Sequence, residues 1–174
     1  GFESMLQVVL PLLEKYEFRA TAAIVGRYTE LYSGSVPREL TYSHLSWEQA
    51  KALQDSGLVE IANHSYDLHE LEGSRKGMKK KSGESSEDYR TALADDLLLM
   101  QEKCRDHLGT EPILLVYPYG FYNAESESLA KEFGFVMTLT CEEGVSRISG
   151  PESLFAMKRY NRPHGADRET FFEK

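Results

Sequence analysis

Two histidines in a short interval are the first residues of the chain that could do chemistry. His64 and His69 follow an apolar stretch, residues 58–62, that predicts a buried strand. A neutral imidazole is a common zinc ligand, and two from one turn fill two coordination positions at little entropic cost. The five-residue interval matches neither a helical i, i+4 pair nor a zinc finger. A purely structural pair also remains open, with His64 bonded to a backbone carbonyl and His69 capping the next element.

A second unusual segment is Tyr-Pro-Tyr-Gly, residues 117–120. Pro118 lacks a backbone donor and Gly120 tolerates positive φ, so the segment predicts a strand end followed by a shaped turn. A structural turn with aromatic packing is one interpretation, and a role in a binding site is the other.

Helices and apolar strands alternate along the chain and would position both segments. Ser46 with Gln49 predicts a capping box, and Gly57 predicts the end of that helix. Continuous apolar strands after amphipathic helices indicate a parallel sheet, in a barrel or a doubly wound α/β fold. Active sites of such folds lie where the strands end, so the two segments should meet. Helices are predicted over 3–16, 45–57, 86–108 and 123–134, and strands over 19–26, 58–62, 113–117 and 135–140.

Composition limits the remaining possibilities. The 174 residues suit a single domain, and the net charge of −8 argues against nucleic acid or anionic membranes as partners. No apolar run reaches membrane-spanning length, and Cys104 and Cys141 form no disulfide framework. Residues 72–86, rich in Gly, Ser and Lys, predict a solvated, mobile loop, with a lid as the alternative. The oligomeric state is not predictable.

Three blocks in order resemble the polysaccharide deacetylase family, also called carbohydrate esterase family four or the chitooligosaccharide deacetylase homology domain. They are LPLLEKYEFRATAAIVG, LSWEQAKALQDSGLVEIANHSYDLH and YPYGFYN, within residues 3–159. HSYDLH and YPYG are most similar to the branch that deacetylates poly-N-acetylglucosamine. The resemblance implies α/β architecture as a distorted (β/α) barrel, and a divalent metal, most often zinc, held by one aspartate and two histidines. His64 and His69 match those histidines.

The resemblance also implies roles for other residues. The backbone amide of Tyr119 would help to hold the oxyanion, and Arg159 and His164 match an arginine that orients the base and a histidine that acts as general acid. The usual Leu-x-His form around that histidine is absent. Tyr117, Pro118 and Tyr122 would line the substrate groove, although both tyrosines could instead be core residues. His44 has no motif support and is expected in a loop, and His107 at a helix C-terminus.

The family's Thr-Phe-Asp-Asp-Gly motif, which holds the base and the third metal ligand, would lie immediately upstream of Gly1. The barrel is therefore expected without its first strand, and this chain as a poor catalyst. Asp67 is expected to point away from both imidazoles, and Asp95 and Asp96 to lie on a solvated helix face. The leading hypothesis is metal-dependent N-deacetylation of an N-acetylglucosamine polysaccharide, outside the cell or in its envelope. A carbohydrate-binding pseudoenzyme is the alternative.

Overall fold

A parallel sheet of four strands forms the centre of the molecule. The computed structural model describes residues 1–73, 75–162 and 165–172. The strands lie in the order β1-β2-β3-β4, and each pairs in parallel with the next. The predicted α/β architecture is confirmed, while closure into a barrel stays a prediction. The strands are β1 (Ala20–Ile24), β2 (Val59–Asn63), β3 (Leu114–Val116) and β4 (Met137–Leu139).

Helices connect the strands. A π-helical turn, Met5–Val9, leads into the first α-helix, a short 3₁₀ turn occupies Pro151–Leu154, and Pro118–Gly120 forms a tight turn with left-handed residues. None of the helices in the described ranges is long and apolar enough to cross a membrane. The α-helices are α1 (Leu10–Tyr16), α2 (Gly26–Ser33), α3 (Trp47–Asp55), α4 (Ser86–Leu108), α5 (Ala124–Glu132) and α6 (Arg168–Phe172).

Local signals account for the ends of α3 and α4. Ser46 and Gln49 form the predicted capping box at the start of α3. The Ser85 side chain accepts a hydrogen bond from the backbone N–H of Asp88, and Gly109 ends α4 in the left-handed conformation. Both helices therefore begin and end where short-range sequence chemistry places them.

Helix α2 was not predicted. The strand predicted over 19–26 ends at Ile24 instead, and Gly26 is the first residue of α2. A Cβ atom on Gly26 would lie 2.5 Å from the Tyr66 ring and 2.8 Å from Met100 Sδ. The backbone N–H of Gly26 also donates to the Ser65 carbonyl. Only glycine fits this close approach, which brings α2 against the segment after β2.

The predicted solvated loop, residues 72–86, is wrong at its centre. Met78 is fully buried, and its carbonyl accepts a hydrogen bond from the Tyr89 hydroxyl at 2.7 Å. Arg75 and Glu84 form an ion pair in which each side chain is only 8% exposed. The loop belongs to the core that packs α4 and α5 against β3, because Met78 lies among their apolar side chains.

Candidate active site

His64 lies immediately after β2, at the carboxyl end of the sheet. Its Nδ1 is 2.5 Å from the carbonyl oxygen of Val116 in β3. Since a carbonyl can only accept, Nδ1 carries the proton and Nε2 keeps a lone pair for a ligand. Burial lowers the pKa of His64 to about 4. The imidazole is therefore neutral near pH 7, as metal ligation requires.

His69 lies beside it. The two ring centres are 4.8 Å apart and the rings are tilted by 59°. Two imidazoles bound to one zinc ion at roughly 2.0–2.1 Å would have centres about 5 Å apart. The Tyr119 hydroxyl lies 3.1 Å from His69 Nδ1, and burial lowers the pKa of His69. The spacing of the pair thus fits a shared ion, and each ring has a partner that orients it.

A half-buried carboxylate shapes the turn between the two histidines. Asp96 of α4 accepts hydrogen bonds from the backbone N–H groups of Tyr66, at 2.8 Å, and Asp67, at 2.7 Å. The prediction of a solvated helix face is therefore wrong for Asp96, although Asp95 is exposed. Burial raises the pKa of Asp96 to about 6. This residue positions the turn from thirty positions away, which no local sequence pattern could indicate.

Asp67 does not complete a metal site. Its carboxylate accepts a hydrogen bond from Arg27 at 2.8 Å on the surface, away from the pair, as predicted. Among the residues that the structure describes, no three side chains of His, Cys, Asp or Glu converge as a metal-binding group. A catalytic zinc takes three protein ligands as a rule, and His64 with His69 would supply two of them.

The Tyr-Pro-Tyr-Gly turn follows β3 on the same side of the sheet. Tyr119 and Gly120 both have positive φ, 56° and 73°. A Cβ atom on Gly120 would lie 2.6 Å from the backbone nitrogen of Cys141, so a larger residue would not fit. This tight turn presents the Tyr119 ring to His69, with ring centres 4.4 Å apart. The shaped turn that the sequence predicted is present.

The substrate contacts predicted for this segment need correction. Tyr117 is fully buried, donates to Glu127 at 2.6 Å and stacks on Tyr122. Sugar stacking is therefore wrong for Tyr117, which is a core residue. Pro118 is also buried and shapes the turn. Tyr122 is half-buried and donates to Glu142, so its role in substrate binding stays a prediction.

The imidazole pair lines a pocket of about 290 Å³. Arg159 lines it and donates to the Thr140 carbonyl at 2.8 Å, so the arginine proposed from the motif lies in the site. His164 lies outside the described residues, and its role stays a prediction. The pocket also contains His44, which sequence reasoning missed. Burial lowers the pKa of His44 to about 4. No motif indicates His44, because its neighbours in the pocket are distant in sequence.

His107, unlike His44, lies outside the pocket. It lies in the last turn of α4, as predicted, and stacks on Trp47 with ring centres 4.7 Å apart. This histidine packs two helices together and takes no part in the pocket.

Known proteins resemble the chain in sequence and fold. It is 24% identical over 184 residues to the poly-beta-1,6-N-acetyl-D-glucosamine N-deacetylase of Escherichia coli K12, covering 94% of this chain and 27% of that protein. A de-N-acetylase from Aggregatibacter actinomycetemcomitans has a TM-score of 0.79 at 21% identity, over 99% of this chain and 71% of that one. A CE4 family pseudoenzyme from Bacillus anthracis has a TM-score of 0.56 at 20% identity, over 79% of this chain and 39% of that one.

These similarities differ in what they show about the chain. The two structures share the fold, whereas the Escherichia coli relative is far longer than this chain, which spans about a quarter of it. The sequence profile of the family described as polysaccharide deacetylase matches residues 1–138. That match covers most of the 174 residues and includes His64 and His69. The chain therefore belongs to the polysaccharide deacetylase family.

Proposed function

We propose that this domain hydrolyses N-acetyl groups of an N-acetylglucosamine polysaccharide with the help of a bound divalent metal, most often zinc in this family. The observation that carries the proposal is the imidazole pair. His64 and His69 lie side by side at the carboxyl end of the sheet, and Val116 fixes the tautomer of His64. The similarity to a poly-beta-1,6-N-acetyl-D-glucosamine N-deacetylase supports the choice of substrate.

The metal would supply a nucleophilic water near neutral pH and polarise the acetyl carbonyl. His64 and His69 would hold it through their unprotonated nitrogens. The backbone amide of Tyr119 would donate to the developing oxyanion, in line with its place in the family motif. Arg159 keeps a positive charge in the pocket, where it would orient a carboxylate base. Gly1 lines the same pocket, so an Asp-Asp pair attached to its nitrogen would lie beside the imidazoles.

Acetate release from N-acetylglucosamine oligomers tests the proposal. The full-length gene product should release acetate, lose this activity with a chelator and regain it with zinc. His64→Ala and His69→Ala should abolish release, whereas His107→Ala, outside the pocket, should retain it. Chelator-resistant release, or full activity of both pocket variants, would refute the metal-dependent reaction.

A carbohydrate-binding pseudoenzyme is the second candidate. The similarity to a CE4 family pseudoenzyme supports it, and this candidate needs no metal-binding group of three side chains, which the described residues do not form. The codons immediately before Gly1 discriminate the two. An Asp-Asp pair there favours the hydrolase, and binding of oligomers without acetate release favours the pseudoenzyme. Location outside the cell or in its envelope stays a proposal that follows from the polysaccharide substrate.

A further inference from the structure

A run of aromatic rings leads away from the imidazole pair towards α2. The rings of Tyr28 and His69 meet edge to face, with centres 6.3 Å apart and planes at 76°. Tyr28 also packs against His44, with centres 4.6 Å apart and planes at 31°. His44 in turn packs against Phe2, with ring centres 4.8 Å apart. Tyr28 is therefore held from two sides, and its orientation is fixed before any ligand binds.

A second pocket, which we call the α2 pocket, lies against Tyr28. Its volume is about 420 Å³, within the range of roughly 300 to 1,000 Å³ typical of small-molecule sites. Tyr28 is thus next to both His69 and the α2 pocket. The α2 pocket is lined by Arg27, Tyr28, Glu30, Leu31 and Glu70.

Most charged groups of the α2 pocket are paired with neighbours, and two cations face three carboxylates there. Arg27 pairs with Asp67 at 2.8 Å and lies 3.8 Å from Glu70. Glu30 accepts a hydrogen bond from Lys103 at 2.7 Å. These exposed pairs offer hydrogen-bond donors and acceptors beside the Tyr28 ring. Such a lining suits a neutral ligand that has hydroxyl groups at its rim and an apolar C–H face, as a pyranose ring does.

We propose that the α2 pocket binds a neighbouring N-acetylhexosamine unit of the polymer, with its ring against Tyr28. This inference rests on the proposed function, since it assumes that the adjacent pocket receives one sugar of the same chain. His44 acts as a positioning residue that holds the Tyr28 ring. The site would make the domain prefer oligomers to the single sugar, because only an oligomer reaches both pockets.

Oligomer binding by the chain of 174 residues tests the inference whether or not acetate is released. Calorimetric titration would compare a β-1,6-linked pentamer of N-acetylglucosamine with the single sugar. Tyr28→Leu should weaken pentamer binding five- to tenfold and change binding of the single sugar less than twofold. Tyr28→Phe, which keeps the ring, should preserve both affinities. Tyr16→Leu changes an exposed tyrosine at the end of α1 and is the matched control.

The outcomes separate the two proposals. An unchanged pentamer affinity in Tyr28→Leu, or an equal loss for the pentamer and the single sugar, overturns the α2 site. A chain that binds neither ligand overturns it as well. A full-length protein that releases no acetate, while the 174-residue chain shows the Tyr28-dependent preference for the pentamer, overturns the hydrolase and leaves the α2 site standing. A melting temperature of Tyr28→Leu close to that of the unchanged chain confirms that the variant is folded.

Discussion

The two ends of the parallel sheet differ in what their loops contain. At the amino end, Gly57, Gly109 and Gly134 precede three of the strands, each in a left-handed turn. A pocket of about 390 Å³ lies there beside Gln54, and we call it the amino-end pocket. At the carboxyl end, a smaller pocket of about 290 Å³ contains three imidazoles and a guanidinium group.

This difference shows that chemistry, and not size, identifies the site. The turns at the amino end are short connections from a helix to the next strand. The Gln54 side chain there donates a hydrogen bond to the Leu108 carbonyl and so links α3 to α4. The loops that follow the carboxyl ends each have a different conformation, and they line one pocket, as in other parallel α/β folds. Variants at the two ends should therefore differ in kind.

Removal of an imidazole should have the largest effect. His64→Ala should lower zinc affinity at least 100-fold, since loss of even a supporting partner of a ligand costs roughly 10- to 100-fold. Calorimetric zinc titration would measure it. Gln54→Ala, in the amino-end pocket, should leave zinc affinity unchanged and lower the free energy of unfolding by about 1 kcal/mol. Equal zinc affinity in the two variants would remove the distinction between the ends.

Truncation of Asp96 should mainly affect stability. Asp96→Ala leaves the N–H groups of Tyr66 and Asp67 without their acceptor, which should lower the free energy of unfolding by about 2–3 kcal/mol. Urea denaturation would measure the loss. Asp95→Ala, its exposed neighbour on α4, is the control and should change stability by less than about 0.5 kcal/mol. A loss of the same size in both variants would contradict the positioning role.

The pKa of Asp96 predicts a pH effect of defined sign. Its folded value of about 6 exceeds the ordinary value of 3.8, so the folded chain binds this proton more tightly. The contribution of Asp96 to the free energy of unfolding therefore falls as pH rises from about 4 to about 6, by roughly 3 kcal/mol, and is constant above. The difference in unfolding free energy between the unchanged chain and Asp96→Asn isolates this contribution. A difference that does not vary with pH would refute the assignment.

The smallest effect is expected from the Tyr119 hydroxyl. Tyr119→Phe removes the group 3.1 Å from His69 Nδ1 and keeps the ring contact. Zinc affinity should fall about tenfold, the lower limit for loss of a group that orients a ligand. Tyr122→Phe removes a hydroxyl that bonds to Glu142 instead and serves as the control in the same titration. Similar losses in both variants would argue against orientation of His69.

Short-range chemistry in the sequence determined most of the framework. Capping of α3 by Ser46 and termination of α4 at Gly109 depend on neighbours within a few residues, and both helices were predicted. The apolar runs likewise predicted all four strands and the parallel sheet. The family motif identified the imidazole pair, and the sheet's polarity predicted that Tyr119 would join it. These features need no knowledge of distant contacts.

Only the tertiary structure decided the surroundings of the pair. His44 enters the pocket, Asp96 binds the turn and Tyr117 becomes a core residue through contacts between segments far apart in sequence. Helix α2 depends on the approach of Gly26 to Tyr66, forty positions later. Such contacts leave no periodic pattern, because each is made once, between surfaces that meet only when the chain has folded.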